Sequence, residues 1–184
     1  MHRSITLALS ALLSAIPALA AAADLTPAEQ AFFAQHVSDV IRLDAKRLDA
    51  PELARVFSSP MYLVKVMRLE GEGDELREIA VARIGAKLVS LSVPGTDTDL
   101  PGFPQMLNPA FRLRTDADAA VLQAALDAIF PILMDSDRKL KGFRHAGNRW
   151  CFMRGEFFED KLGFIFETDA GGAIKSVKYQ LRLP

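Results

Sequence analysis

The chain has 184 residues, 50% of them hydrophobic and 24% charged, with a formal net charge of −1. This composition excludes a collagen-like repeat, a long disordered chain and a disulfide scaffold, since one cysteine cannot form an intrachain bridge. The balance of 22 basic against 23 acidic residues argues against a protein held to nucleic acid by phosphate contacts.

Met1-His2-Arg3 supplies a positive start, and Ile5 to Ala20 then runs without a charge. Small residues follow, and both Ala18-Leu19-Ala20 and Ala21-Ala22-Ala23 fit an A-x-A cleavage site. Together these are the three parts of a secretory signal peptide. A spanning helix needs about 20 apolar residues, whereas this run is shorter, alanine-rich and broken by Pro17. No cysteine lies near the cleavage site, so lipid attachment there is excluded. The expectation is a leader over 1–23 and one α+β domain over 24–184, periplasmic or secreted, with no membrane span after cleavage. A chain of that size can bury about 70% of its unfolded surface, enough for a core without a metal or disulfide.

Thr26-Pro27-Ala28-Glu29 predicts a helix start, with Thr26 as cap and Glu29 completing a capping box. Phe32, Phe33, Val37, Val40 and Ile41 recur at helical spacing and predict one buried stripe. A short second helix is expected over Pro51 to Phe57. Met61 to Leu69, Leu76 to Ile84 and Leu88 to Val93 read as three strands joined by short polar turns, with Ile79, Val81 and Arg83 on one face. Pro94 to Pro109 contains four of the ten prolines and predicts irregular backbone, a candidate lid or contact loop. Thr115 opens the next helix, with Asp116 and Asp118 in its first turn and Val121, Leu122, Ala125, Leu126 and Ile129 as its stripe. Pro131 ends or kinks it.

Four strands are then expected: Gly142 to His145, Arg149 to Arg154, Leu162 to Thr168, and Ile174 to Leu183. In the last, Val177, Tyr179, Leu181 and Leu183 alternate with polar residues, which predicts one packed and one wet face. The predicted fold is an antiparallel sheet of about six to eight strands with two or three helices on one face, in the order α-βββ-α-ββββ. The two main helix starts, Thr26 and Thr115, lie 89 residues apart, which raises two similar halves.

The sequence lacks the nucleophile elbow, the paired-histidine zinc motif and both glycine-rich phosphate loops. Beyond the leader only His36 and His145 remain, and Cys151 sits in the apolar Trp150-Cys151-Phe152-Met153, as a buried inert thiol would. A catalytic pairing of His145 with Cys151 is the nucleophilic alternative, and His145 with Glu156 or Glu159 the acid–base one. Asp97-Thr98-Asp99 and Asp135-Ser136-Asp137 have calcium-like spacing but lack the continuing ligands. No metal site and no cofactor are expected.

The least ordinary region runs from Phe143 to Phe166. It interleaves aromatics with Arg144, His145, Arg149 and Arg154 around Trp150, the only tryptophan. Tryptophan and arginine anchor many protein contacts, so these five residues are the candidate binding set. The bland alternative is that Trp150 fills the core and the arginines are solvated along their stems. The functional expectation is an exported, non-catalytic binding domain for a protein partner in the envelope, inhibitor- or immunity-like, or for a small apolar ligand. The alternative is a small periplasmic hydrolase, and nucleic acid is not an expected partner.

Overall fold

A computed structural model describes residues 21–35, 41–68, 75–90, 98–129, 142–157 and 160–180. They form an α+β fold with antiparallel sheets. The first sheet contains β1 (Ala21–Ala23), β2 (Ile41–Asp49), β3 (Met61–Arg68), β4 (Glu75–Ile84) and β5 (Lys87–Ser90), paired in that order. The second contains β6 (Thr98–Asp99), β7 (Gly142–Ala146), β8 (Arg149–Phe157), β9 (Asp160–Thr168) and β10 (Ile174–Gln180), in the order β6-β10-β9-β8-β7. The helices are α1 (Pro27–Ala34), α2 (Pro51–Val56), α3 (Phe103–Met106) and α4 (Asp116–Ile129).

The expected α+β class holds, but the single sheet divides into two, and helices do not cover only one face. In the first sheet, alternate residues leave by opposite faces. Tyr62, Val64 and Val81 pack against Phe32 and Phe33 of α1, whereas Met61, Ala80 and Ala82 join the main core. That core lies between the sheets. The first contributes the residues just named and Leu48, the second Trp150, Phe152, Phe164, Phe166, Val177 and Tyr179, and α4 contributes Ala119, Leu122, Ala125, Leu126 and Ile129. Perpendicular ring pairs fill its middle, with Phe103 5.5 Å from Phe166 and Phe152 5.2 Å from Phe166. The edge-to-face preference of aromatic quadrupoles favours this arrangement.

The helical stripe was expected to run on to Ile41. Instead α1 ends at Ala34, and Ile41 opens β2, seven residues of which pair with β3. His36, Val37 and Val40 lie outside the described residues, as do Leu181, Leu183 and Pro131. The segment Pro94 to Pro109 is less irregular than its prolines imply. Its described part carries β6 and α3, and Phe103 and Met106 are wholly buried. Backbone bonds lace it to both halves: Ser58 N donates to Met106 O at 2.9 Å, Asn108 N to Val56 O at 2.8 Å, and Leu100 N to Val177 O at 2.8 Å. These described residues are a strap built into the body.

The two halves share an outline. Each opens with a reciprocally capped helix and continues into four consecutive meandering strands, β2 to β5 and β7 to β10. Thr26 and Glu29 form the capping box of α1. Thr115 and Asp118 repeat it at α4: Asp118 N donates to Thr115 Oγ1 at 3.2 Å, and Thr115 N donates to Asp118 Oδ2 at 2.9 Å. Both pairs satisfy helix-start amides that have no intrahelical acceptor.

Candidate functional site

Three chain segments meet at the end of the second sheet that carries His145: the start of α4, the β7–β8 turn and the β9–β10 turn. Local chemistry knits these together. Gly147 turns the first hairpin at φ +58°, in the left-handed region open to glycine. Asn148 Nδ2 donates to Thr168 O at 3.0 Å, and Thr168 N donates to Asn148 O at 2.9 Å, so the β7–β8 turn is fastened to the end of β9. In the second hairpin Asp169 Oδ1 accepts from Gly171 N and Ala173 N, both at 2.9 Å, and Lys175 Nζ lies 3.1 Å from Oδ2. The Ala173 amide, Lys175 and the Gly171 amide hold this carboxyl below its ordinary range. Arg114 Nε then donates to Gly171 O at 2.6 Å, joining α4's approach to the same hairpin.

On this base His145 lies nearly parallel to Trp150, ring centroids 4.1 Å apart and planes inclined by 20°. The two are register partners on β7 and β8, so they share a face of the sheet. His145 Nε2 is 3.8 Å from Asp116 Oδ1 at the head of α4. The imidazole is about half exposed, whereas Trp150 retains only 2% of its surface and contributes to the core. Trp150 is therefore a floor, and His145 is what reaches solvent.

The five candidate residues do not converge. Arg144 is the register partner of Cys151, and Arg149 lies two residues before Cys151 on β8, so both arginines leave by the face opposite His145 and Trp150. Both are exposed. Arg154 stands in a register irregularity between Met153 and Gly155, and its side chain lies outside the described residues. Arg149 faces Glu167 across the ladder, and Lys178 pairs with Asp99 at 3.4 Å.

The catalytic alternatives meet the same geometry. His145 and Cys151 occupy opposite faces of the sheet, and the thiol is buried. Glu156 stands six residues beyond Trp150 on β8, about 20 Å along the strand from the position opposite His145. Its side chain, and Glu159 altogether, lie outside the described residues, as do Asp97, Asp135 and Asp137. Among the described residues no three His, Cys, Asp or Glu side chains converge as a metal would require. No described helix is long and apolar enough to cross a membrane.

Sequence reasoning missed a second polar cluster, under α1. Glu29 is 7% exposed, and its Oε1 accepts from Tyr62 Oη at 2.6 Å, with Arg47 Nη1 3.7 Å away. Its Oε2 accepts from Thr26 N and Thr26 Oγ1, both at 2.8 Å. Burial works against the charge, but the Tyr62 and Thr26 hydrogen bonds and Arg47 outweigh it and lower the carboxyl's pKa. Burial and the Glu29 bond push the Tyr62 phenol up to about 12. Arg83 lies over the Phe32 ring at 4.1 Å and closes the rim. The signal available in sequence was the capping box. Tyr62 and Arg47 lie on strands whose register that motif does not reveal.

No protein-family model matches the chain, and neither the curated proteins nor the solved structures contain a significant resemblance to it.

Proposed function

We propose that the protein is an exported, non-catalytic binding domain that recognises a protein partner in the cell envelope, as an inhibitor or immunity protein would. The observation that carries this reading is β7. Among the described residues it is the terminal strand of its sheet, and Arg144, His145 and Ala146 are exposed along it. A terminal strand offers main-chain donors and acceptors to a partner's strand, and side chains on its two faces supply selectivity. Here one face would offer His145 held flat on Trp150, and the other Arg144 and Arg149. A platform fixed by packing loses little entropy on binding, which favours it as an anchor. The protein-partner reading is preferred to an apolar ligand between helix and sheet, because the chain's own rings occupy that interior.

The test is site-specific photo-crosslinking in cells that make the protein with its own leader. A photoreactive residue at Arg149 is expected to give one discrete protein adduct in the envelope fraction. That adduct should disappear when Arg144→Glu and His145→Ala are added, and should be missing when the probe stands at Lys175. An adduct indifferent to those changes, or no adduct, overturns the reading.

A further inference from the structure

We infer that the leader is cut between Ala20 and Ala21, so that Ala21–Ala23 stays in the mature chain as a structural strand. This inference rests on the export reading and chooses between the two A-x-A sites that the sequence offers.

Three observations select the earlier site. The first is pairing: Ala21, Ala22 and Ala23 lie antiparallel to Asp49, Leu48 and Arg47. The strand so covered carries Leu48, which is buried in the main core, and Arg47, which reaches Glu29. Without β1, β2 becomes the sheet edge, and unpaired edges invite association with other chains. A three-residue strand is a short cover of the kind that blunts an edge.

The second observation is charge. Cleavage after Ala20 places the new ammonium group on Ala21, the register partner of the exposed carboxylate Asp49. Opposite charges across a strand pair attract. Cleavage after Ala23 would place that ammonium on Asp24, two residues before the Thr26 cap, at the positive end of the α1 dipole. The third is the sequence itself. Pro17 ends the apolar run, and Ala18-Leu19-Ala20 follows it at once. The reaction is hydrolysis by a leader peptidase of the exporting membrane. Water adds across the Ala20–Ala21 amide, its hydroxyl going to the Ala20 acyl carbon and its proton to the Ala21 nitrogen.

The experiment is to express the full gene with its own leader, recover the protein outside the inner membrane, and determine its intact mass and N-terminal sequence. The expected sequence is Ala-Ala-Ala-Asp-Leu. A chain beginning at Asp24, or at any other residue of the small-residue stretch, overturns the inference and leaves export standing. A chain that keeps Met1 overturns both. Hydrogen exchange then tests the structural half. A chain starting at Ala21 should slow exchange in the peptide over 46–50 by on the order of tenfold relative to one starting at Asp24. Equal exchange in the two chains overturns the role given to β1.

Discussion

The Tyr62 hydroxyl donates a 2.6 Å hydrogen bond to Glu29 in the seam between α1 and the first sheet. Tyr62 is 1% exposed and also meets Phe33 edge-on at 5.0 Å. One carboxylate thus caps its own helix and fastens that helix to a strand.

Replacing Glu29 should therefore remove both functions. Glu29→Ala is expected to lower unfolding free energy by about 2–3 kcal/mol, the sum expected from losing a cap and leaving a buried hydroxyl unpaired. Urea unfolding at neutral pH checks this, and a loss under about half a kcal/mol would refute it.

The same group shapes the acid limb of stability. Its folded pKa lies below its unfolded value, so its contribution is complete above the unfolded value and fades as pH falls through the folded one. Asp118 behaves alike: burial opposes its charge, but the Thr115 hydroxyl and the amides of Arg114 and Thr115 prevail. Glu29→Gln and Asp118→Asn should each flatten the decline in stability below pH about 4. Denaturant titrations across that range should show curves that converge with the parent at low pH. Parallel curves would contradict the assignment.

Tyr62 has the opposite sign. Its folded pKa is raised to about 12, so it stabilises fully below the unfolded value near 10 and loses that effect as pH rises through the folded value. The chain has two tyrosines, so Tyr179→Phe isolates the phenol of Tyr62. Tyrosinate absorbance of that variant should rise near pH 12, and a rise near pH 10 in the folded protein would contradict the buried bond.

Gly172 has φ +78°, and a Cβ there would collide with the Arg114 stem. Gly172→Ala should cost about 1–3 kcal/mol from backbone strain and crowding together. The cost should shrink in an Arg114→Ala background, since only the collision is relieved. A double-mutant cycle measures this, and zero coupling would show that Arg114 is not the obstacle.

Phe103 tests the strap. It is fully buried and meets Phe57 at 5.6 Å and Phe166 at 5.5 Å. Phe103→Ala should cost about 3–5 kcal/mol, as a large core truncation does. A surface loop residue would cost far less, so thermal unfolding discriminates the two roles.

Much of the architecture was legible in the sequence, and particular residues show why. The Thr26 cap and the alternation of Val177 and Tyr179 announced α1 and β10, because each signal is local and uncontested. Ile79, Val81 and Arg83 do share a face, the one toward α1. β2 did carry a strand period, since Ile41, Leu43 and Ala45 alternate with Arg42, Asp44 and Lys46, but a helical stripe drawn through Val40 and Ile41 competes for the same residues and Arg47-Leu48 breaks the alternation. The prolines of 94–109 masked a strap whose anchors, Val56 and Val177, are distant in sequence. For the candidate site, residue types were readable but sides were not. Arg144 and His145 are chain neighbours, so they necessarily leave by opposite faces, and only the register with Cys151 and Trp150 tells which faces those are.

The strap also has a kinetic meaning. Among the described strands every pair except β6–β10 joins strands consecutive in the chain, so most of each meander can assemble from short chain closures. The strap, however, bonds to both halves at once: Leu100 to Val177 of β10, and Met106 and Asn108 to Ser58 and Val56 in the connection between β2 and β3. Both sheets, the strap and α4 also contribute to one core, so heating should melt the two halves together in one transition.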